Sequence, residues 1–174
     1  MIKKIINFLN RDEIKILSQY WKFNKKNMID CDQSLGSLKK YGDPISESIL
    51  LIKKTLLEEV VGEPLLPTYS CSRMYFNGTE LIKHNDRPSC EVSVTLNIYA
   101  DKDWKIFFCP KNSDKQPLSL ITEPGEGLLY EGMKYDHWRE KYEGQECMQV
   151  FLHYVRKNGP YKSFYKDGRP SIGY

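Results

Sequence analysis

Residues 84 to 86 read His-Asn-Asp, an imidazole and a carboxylate separated by one residue. On an extended strand, residues i and i+2 share a face with Cα atoms about 6.5 Å apart. Both side chains can then reach one cation while Asn85 points away. Alone, the pair also has a simpler reading, two polar side chains capping a turn. A third group enters further on, in "PGEGLLYEGMKYDHWRE", residues 124 to 140. There a Pro-Gly turn leads into a short apolar strand, a second turn and then His137. Two histidines and one carboxylate are a ligand set for non-haem iron(II) that leaves three coordination positions open. Two open positions suit a chelating 2-oxoacid and one suits O2.

Such a site needs a frame that brings His84 and His137 together across 53 residues of chain. The first third of the sequence predicts helices over Ile2–Leu9 and Ile14–Trp21. A longer helix is predicted after Asp43-Pro44, a capping side chain followed by proline at the first helical position. Ile45, Ile49, Ile52, Leu56 and Val60 recur along it at steps of three or four, and Gly62 ends it. The stretch "CDQSLGSLKKYG" before it reads as an ordered loop. From Pro67 onward the pattern predicts strands at 67–76, 80–86, 90–99, 104–109, 117–122, 127–131, 135–140 and 146–156. Turn signals such as Asn77-Gly78, Arg87-Pro88 and Pro124-Gly125 separate most of them. About eight short strands behind a helical segment predict a sandwich or jelly-roll barrel buttressed on one face by helices. In such a barrel the second strand and a late strand can be neighbours. The tail from 159 to 174 reads as irregular.

In order and spacing, "RMYFNGTELIKHND", "PGEGLLYEGMKYDHWRE" and "QVFLHYV" resemble the iron(II)/2-oxoglutarate oxygenase superfamily, on its prolyl 4-hydroxylase-like branch. That branch has a Tyr-x-x-Gly segment, then His-x-Asp, a long strand, a Pro-Gly turn before an apolar strand, and a distal His. The resemblance covers roughly residues 67 to 156. It implies a double-stranded β-helix in one domain over 1–174, with residues 1–62 as helical support. It implies His84, Asp86 and His137 as iron(II) ligands, with 2-oxoglutarate and O2 as cosubstrates. Tyr75, nine residues before His84, matches the family's 2-oxoglutarate-binding tyrosine; otherwise it is a cross-strand packing residue.

One departure matters. The branch carries a Lys or Arg about ten residues after the distal His, and here that neighbourhood reads Glu146-Cys147-Met148-Gln149. A dianionic cosubstrate in a partly buried pocket needs a compensating charge. Arg139, on the same strand face as His137, is the expected substitute, because its planar fork can bind a carboxylate through two nitrogens. Arg73, in phase with Tyr75, is second. His153 reads as a strand histidine with a structural hydrogen bond, and Trp138 as facing away from the metal. Arg87 is a substrate contact at the cavity mouth or a turn residue. Cys90 and Cys147 read as small core fillers.

Bulk properties narrow the classes. A net charge of +3 with scattered lysines gives no case for nucleic acid. Five cysteines without a Cys-x-x-Cys spacing argue against a zinc ribbon or a disulfide framework and favour a reducing compartment. No run approaches a membrane span or a signal peptide, so a cytoplasmic location is expected. The function expected is a dioxygenase that hydroxylates an unactivated C–H bond of a small-molecule or peptide substrate, a prolyl residue being the class the resemblance suggests. The alternatives are the same chemistry on a free amino acid or nucleobase, and a catalytically silent barrel that only binds.

Overall fold

The computed structural model describes residues 1–173. Along the chain run β1 (Ile2–Ile5), α1 (Arg11–Asn24), β2 (Ile29–Asp30), β3 (Leu38–Tyr41), α2 (Pro44–Ile52), α3 (Lys54–Val61), β4 (Leu65–Phe76) and β5 (Leu81–His84). They are followed by β6 (Val92–Ala100), β7 (Ile106–Pro110), β8 (Leu118–Leu120), β9 (Gly127–Tyr130), β10 (Tyr135–Arg139) and β11 (Glu146–Arg156). The strands form a seven-stranded sheet, β1-β9-β6-β11-β4-β3-β2, and a four-stranded sheet, β5-β10-β7-β8, with antiparallel pairing throughout. This is a jelly-roll, double-stranded β-helix arrangement with helices on one face of the larger sheet. No helix among the described residues is long and apolar enough to cross a membrane.

All eight strands predicted beyond Pro67 are present. Three expectations for the first third need correction. Ile2–Leu9 is not a helix: Ile2–Ile5 pairs with β9, Ile2 opposite Tyr130 and Ile5 opposite Gly127, so the large sheet takes up its backbone groups. The helix after Asp43 is two helices, broken at Lys53, whose ammonium reaches both carboxylate oxygens of Glu13 on α1 at 2.9 Å. Part of the expected loop before Asp43 is β3, which extends the large sheet from β4.

The caps explain where helices start. The Asn10 side chain accepts hydrogen bonds from the backbone N–H groups of Asp12 and Glu13, and the Glu13 carboxylate accepts one from the Asn10 backbone N–H, closing a capping box. Asp43 caps α2 at the backbone of Ile45, and Gly62 ends α3 in the left-handed conformation at φ +84°.

Strand parity sorts the large sheet into two faces. Met74, Val92, Val94, Leu96, Met148, Val150, Leu152 and Tyr154 pack with Leu17, Trp21, Leu50 and Leu57 from the helices. Tyr154 also donates to the Leu50 carbonyl at 2.6 Å, fixing α2 on the outer face of β11. The alternate residues, Tyr69, Cys71, Arg73 and Tyr75 on β4 and Cys147, Gln149, Phe151 and His153 on β11, face the smaller sheet. The space between the sheets is therefore polar at one end and apolar at the other. Tyr75, Trp104, Tyr142, Cys147 and Phe151 form one buried cluster there, and Ile106, Phe108, Leu128 and Tyr130 another.

Candidate metal centre

β5 and β10 lie side by side, and their register sets His84 opposite His137. The two rings are 4.2 Å apart. Each Nδ1 lies against a backbone carbonyl two residues earlier: His84 against Ile82 at 2.8 Å and His137 against Tyr135 at 3.2 Å. A ring that donates from Nδ1 keeps its lone pair on Nε2. Both Nε2 atoms face Asp86 Oδ1, at 3.9 and 3.7 Å. The three ligand atoms lie within 4.8 Å of one another.

Asp86 does not reach this point from a strand. β5 ends at His84, and Asp86 lies in the loop beyond, which corrects the expected strand over 80–86. The loop is fixed by Asn85, whose amide donates to the carbonyls of Gly132, Met133 and Tyr135 at 3.1–3.2 Å. The backbone N–H of Asp86 donates to the Gly132 carbonyl at 3.1 Å. A side chain at residue 132 would overlap the Asp86 carboxylate, so glycine there makes room for that carboxylate. Sequence reasoning had Gly132 only as part of a turn, and no sequence signal shows that a carboxylate packs on it.

Burial sets the charge state. It pushes the Asp86 carboxyl up to about 6 and the His137 imidazole down to about 4. His84 is lowered by burial and then by neighbouring His137. Near neutral pH the site offers two neutral imidazoles and one carboxylate, the protonation states a divalent metal requires.

The three side chains open on a cavity of about 180 Å³ that is also lined by Arg73, Tyr69, Arg87, Phe151 and His153. Arg73 is buried and donates to Tyr75 Oη at 3.3 Å and Gln33 Oε1 at 2.9 Å. Arg139 is buried with its guanidinium 4.9 Å from the centre of the Trp104 ring, and donates to the Trp104 carbonyl at 2.7 Å. Neither Tyr75 nor Arg139 is among the residues that line the cavity. Among the described residues neither arginine has a carboxylate partner, and Nε of Arg73 and both Nε and Nη2 of Arg139 donate to no hydrogen-bond partner. Buried guanidinium nitrogens left this way are costly unless an anion joins them.

The remaining singled-out residues are also placed. Arg87 lines the cavity and grips Asp167 with two bonds of 2.9 and 2.7 Å. Trp138 stacks on Phe107 at 5.4 Å, outside the cavity. His153 contacts the Ser93 hydroxyl through Nδ1 at 2.9 Å and lies tilted against the Tyr69 ring, centroids 4.5 Å apart. Cys90 and Cys147 are buried.

No family model matches the chain, and no curated protein matches it. Solved structures do. A Pseudomonas putida prolyl-4-hydroxylase aligns with a TM-score of 0.71 over 89% of this chain and 92% of its own, at 14% identity. A 2OG-Fe(II) oxygenase family oxidoreductase from Burkholderia pseudomallei aligns with a TM-score of 0.71 over 91% and 86%, at 13% identity. The chain has the fold of the iron(II)/2-oxoglutarate oxygenases. The alpha-ketoglutarate-dependent epimerase SnoN from nogalamycin biosynthesis shares it over 99% of this chain and 86% of its own, with a TM-score of 0.77 at 10% identity.

Proposed function

We propose that this protein is an iron(II)- and 2-oxoglutarate-dependent dioxygenase that hydroxylates an unactivated C–H bond. The observation that carries the reading is the convergence of His84 Nε2, His137 Nε2 and Asp86 Oδ1 at one end of a cavity, with both rings oriented by backbone carbonyls. Two imidazoles and a carboxylate fit iron(II) and leave positions open. Bound there, iron(II) supplies O2 activation coupled to decarboxylation of 2-oxoglutarate.

The chain's own part is to hold ligands, anchor the cosubstrate and keep the cavity dry. The buried guanidiniums without carboxylates fit the far carboxylate of 2-oxoglutarate, which would satisfy their open donors. The cavity lining favours Arg73 for this role, with the Tyr75 hydroxyl, 3.3 Å from its Nη1, as a second donor. Arg139 is the alternative anchor, behind Trp104. Phe151 and Tyr130 exclude water from the rest of the wall.

The substrate is a small molecule or a peptide residue. The names of the structural neighbours, a prolyl hydroxylase and an epimerase, span both kinds, so a prolyl residue is one member of the class proposed.

Anaerobic iron(II) binding and 2-oxoglutarate turnover without added substrate test the reading. One iron(II) per chain and slow uncoupled decarboxylation are expected, with both lost in His84→Ala and His137→Ala. Wild-type iron stoichiometry in both variants would reject the ligand set. Iron binding without any decarboxylation would favour a barrel that only binds.

A further inference from the structure

A second group of metal-ligating side chains shares the cavity wall with the first. Asp86, Cys90 and His153 present a carboxylate oxygen, a thiol sulfur and an imidazole nitrogen that all lie within 4.8 Å of one another. They come from separate elements: the loop after β5, a 3-10 turn at Pro88–Cys90, and the C-terminal half of β11. All three line the same cavity.

The two oxygens of the Asp86 carboxylate have different neighbours. Its Oδ1 faces the Nε2 atoms of His84 and His137 at 3.9 and 3.7 Å. Its Oδ2 takes the Ser93 hydroxyl at 3.1 Å, and that hydroxyl contacts His153 Nδ1 at 2.9 Å. One carboxylate can therefore serve two ions, one oxygen to each.

We infer that Asp86, Cys90 and His153 form a second metal site, selective for a thiophilic divalent cation such as Zn²⁺ or Cd²⁺. The donor set carries the selectivity. A thiolate beside an imidazole and a carboxylate suits zinc, whereas the sulfur-free trio of His84, Asp86 and His137 suits iron(II). Zinc binds sulfur at about 2.3 Å and nitrogen or oxygen at about 2.1 Å, so tetrahedral ligand atoms stand about 3.4–3.8 Å apart. A contraction of roughly 1 Å from the observed spread closes the site. On binding, the S–H bond of Cys90 breaks, the S–metal bond forms and the proton leaves to solvent. Tyr69, whose hydroxyl lies 3.0 Å from the sulfur, then donates to the thiolate.

The site rests on the iron reading only through Asp86; Cys90 and His153 belong to it alone. Because the carboxylate is shared, an ion at either trio weakens the hold of the other, and this coupling is reciprocal.

The test uses the metal-free chain titrated with Cd²⁺, read by the ultraviolet thiolate-to-cadmium absorption and by native mass spectrometry. The absorption should saturate at one ion per chain. It should vanish in Cys90→Ser, require about tenfold or more Cd²⁺ in His153→Phe, and persist in Cys147→Ser. It should also persist in the His84→Ala/His137→Ala double variant, so that failure of the iron reading and failure of this one are told apart. No thiolate absorption in the wild-type chain would overturn the inference without recourse to any variant. So would absorption that survives Cys90→Ser, is unchanged in His153→Phe, or disappears with the double variant.

Discussion

Gly132→Ala is a one-methyl probe of the proposed metal centre from outside its candidate ligands. A Cβ at residue 132 would fall on the Oδ2, Cγ and Cβ atoms of Asp86. The residue has little room to retreat, because its carbonyl accepts both the Asp86 backbone N–H and the Asn85 amide at 3.1 Å. The carboxylate must therefore leave its observed position relative to the two Nε2 atoms by on the order of 1 Å. Overpacking of this kind costs about 1–3 kcal/mol of stability, and disturbing the support of a ligand lowers metal affinity by about 10–100-fold. Anaerobic calorimetric titration with iron(II), paired with urea unfolding of the metal-free chain, reads both effects. Gly78→Ala is the control. Its Cβ would meet nothing within 4 Å, although φ is +80°. It should lose about 1 kcal/mol through backbone strain while keeping wild-type iron affinity. Iron affinity in Gly132→Ala equal to that of the control would refute the packing account of the site.

Two further outcomes follow from the charges. Arg73→Ala should raise the 2-oxoglutarate constant by roughly thirtyfold or more, since truncating one partner of a buried charged pair costs about 2–5 kcal/mol, while iron(II) binding stays intact; a larger loss in Arg139→Ala would move the anchor behind Trp104. The Asp101 carboxyl is held down to about 2 by the Tyr142 hydroxyl and the backbone N–H groups of Gln145 and Glu146. The folded chain then binds fewer protons than the unfolded one between about pH 4 and pH 2, so this stabilisation is complete above pH 4 and lost as pH falls through that window. Urea unfolding should show wild type more stable than Asp101→Asn at pH 5, with the gap closing toward pH 2; a gap that is constant with pH would refute the assignment.

The β-rich part was legible because period-two runs between turn residues are local signals, and every strand after Pro67 could be read that way. The Asp43 cap, Pro44 and the Gly62 stop were legible for the same reason. Ile2–Ile5 was not. Two isoleucines flanking two lysines fit a helix turn or an edge strand, and the partner that decides lies at residues 127–130. Strand parity likewise put both Arg73 and Arg139 on the inner faces, but which of them meets the cavity depends on Trp104 covering Arg139 from another strand's approach. The His-x-Asp pair was read as two residues on one strand face. They converge instead because Asn85 ties the loop after β5 to three carbonyls, a long-range contact with no trace in local spacing.

The middle of the larger sheet is made last. β11 lies between β4 and β6, with Tyr75 opposite Cys147 and Val94 opposite Leu152. During synthesis at about 5–20 residues per second, His137 emerges roughly 3–10 seconds after His84, and β11 follows it. Until then β4 and β6 each expose an unpaired edge, the kind of edge that other chains can add to. The three candidate ligands are thus all made before the strand that joins β4 to β6, and the larger sheet closes only once β11 has followed them.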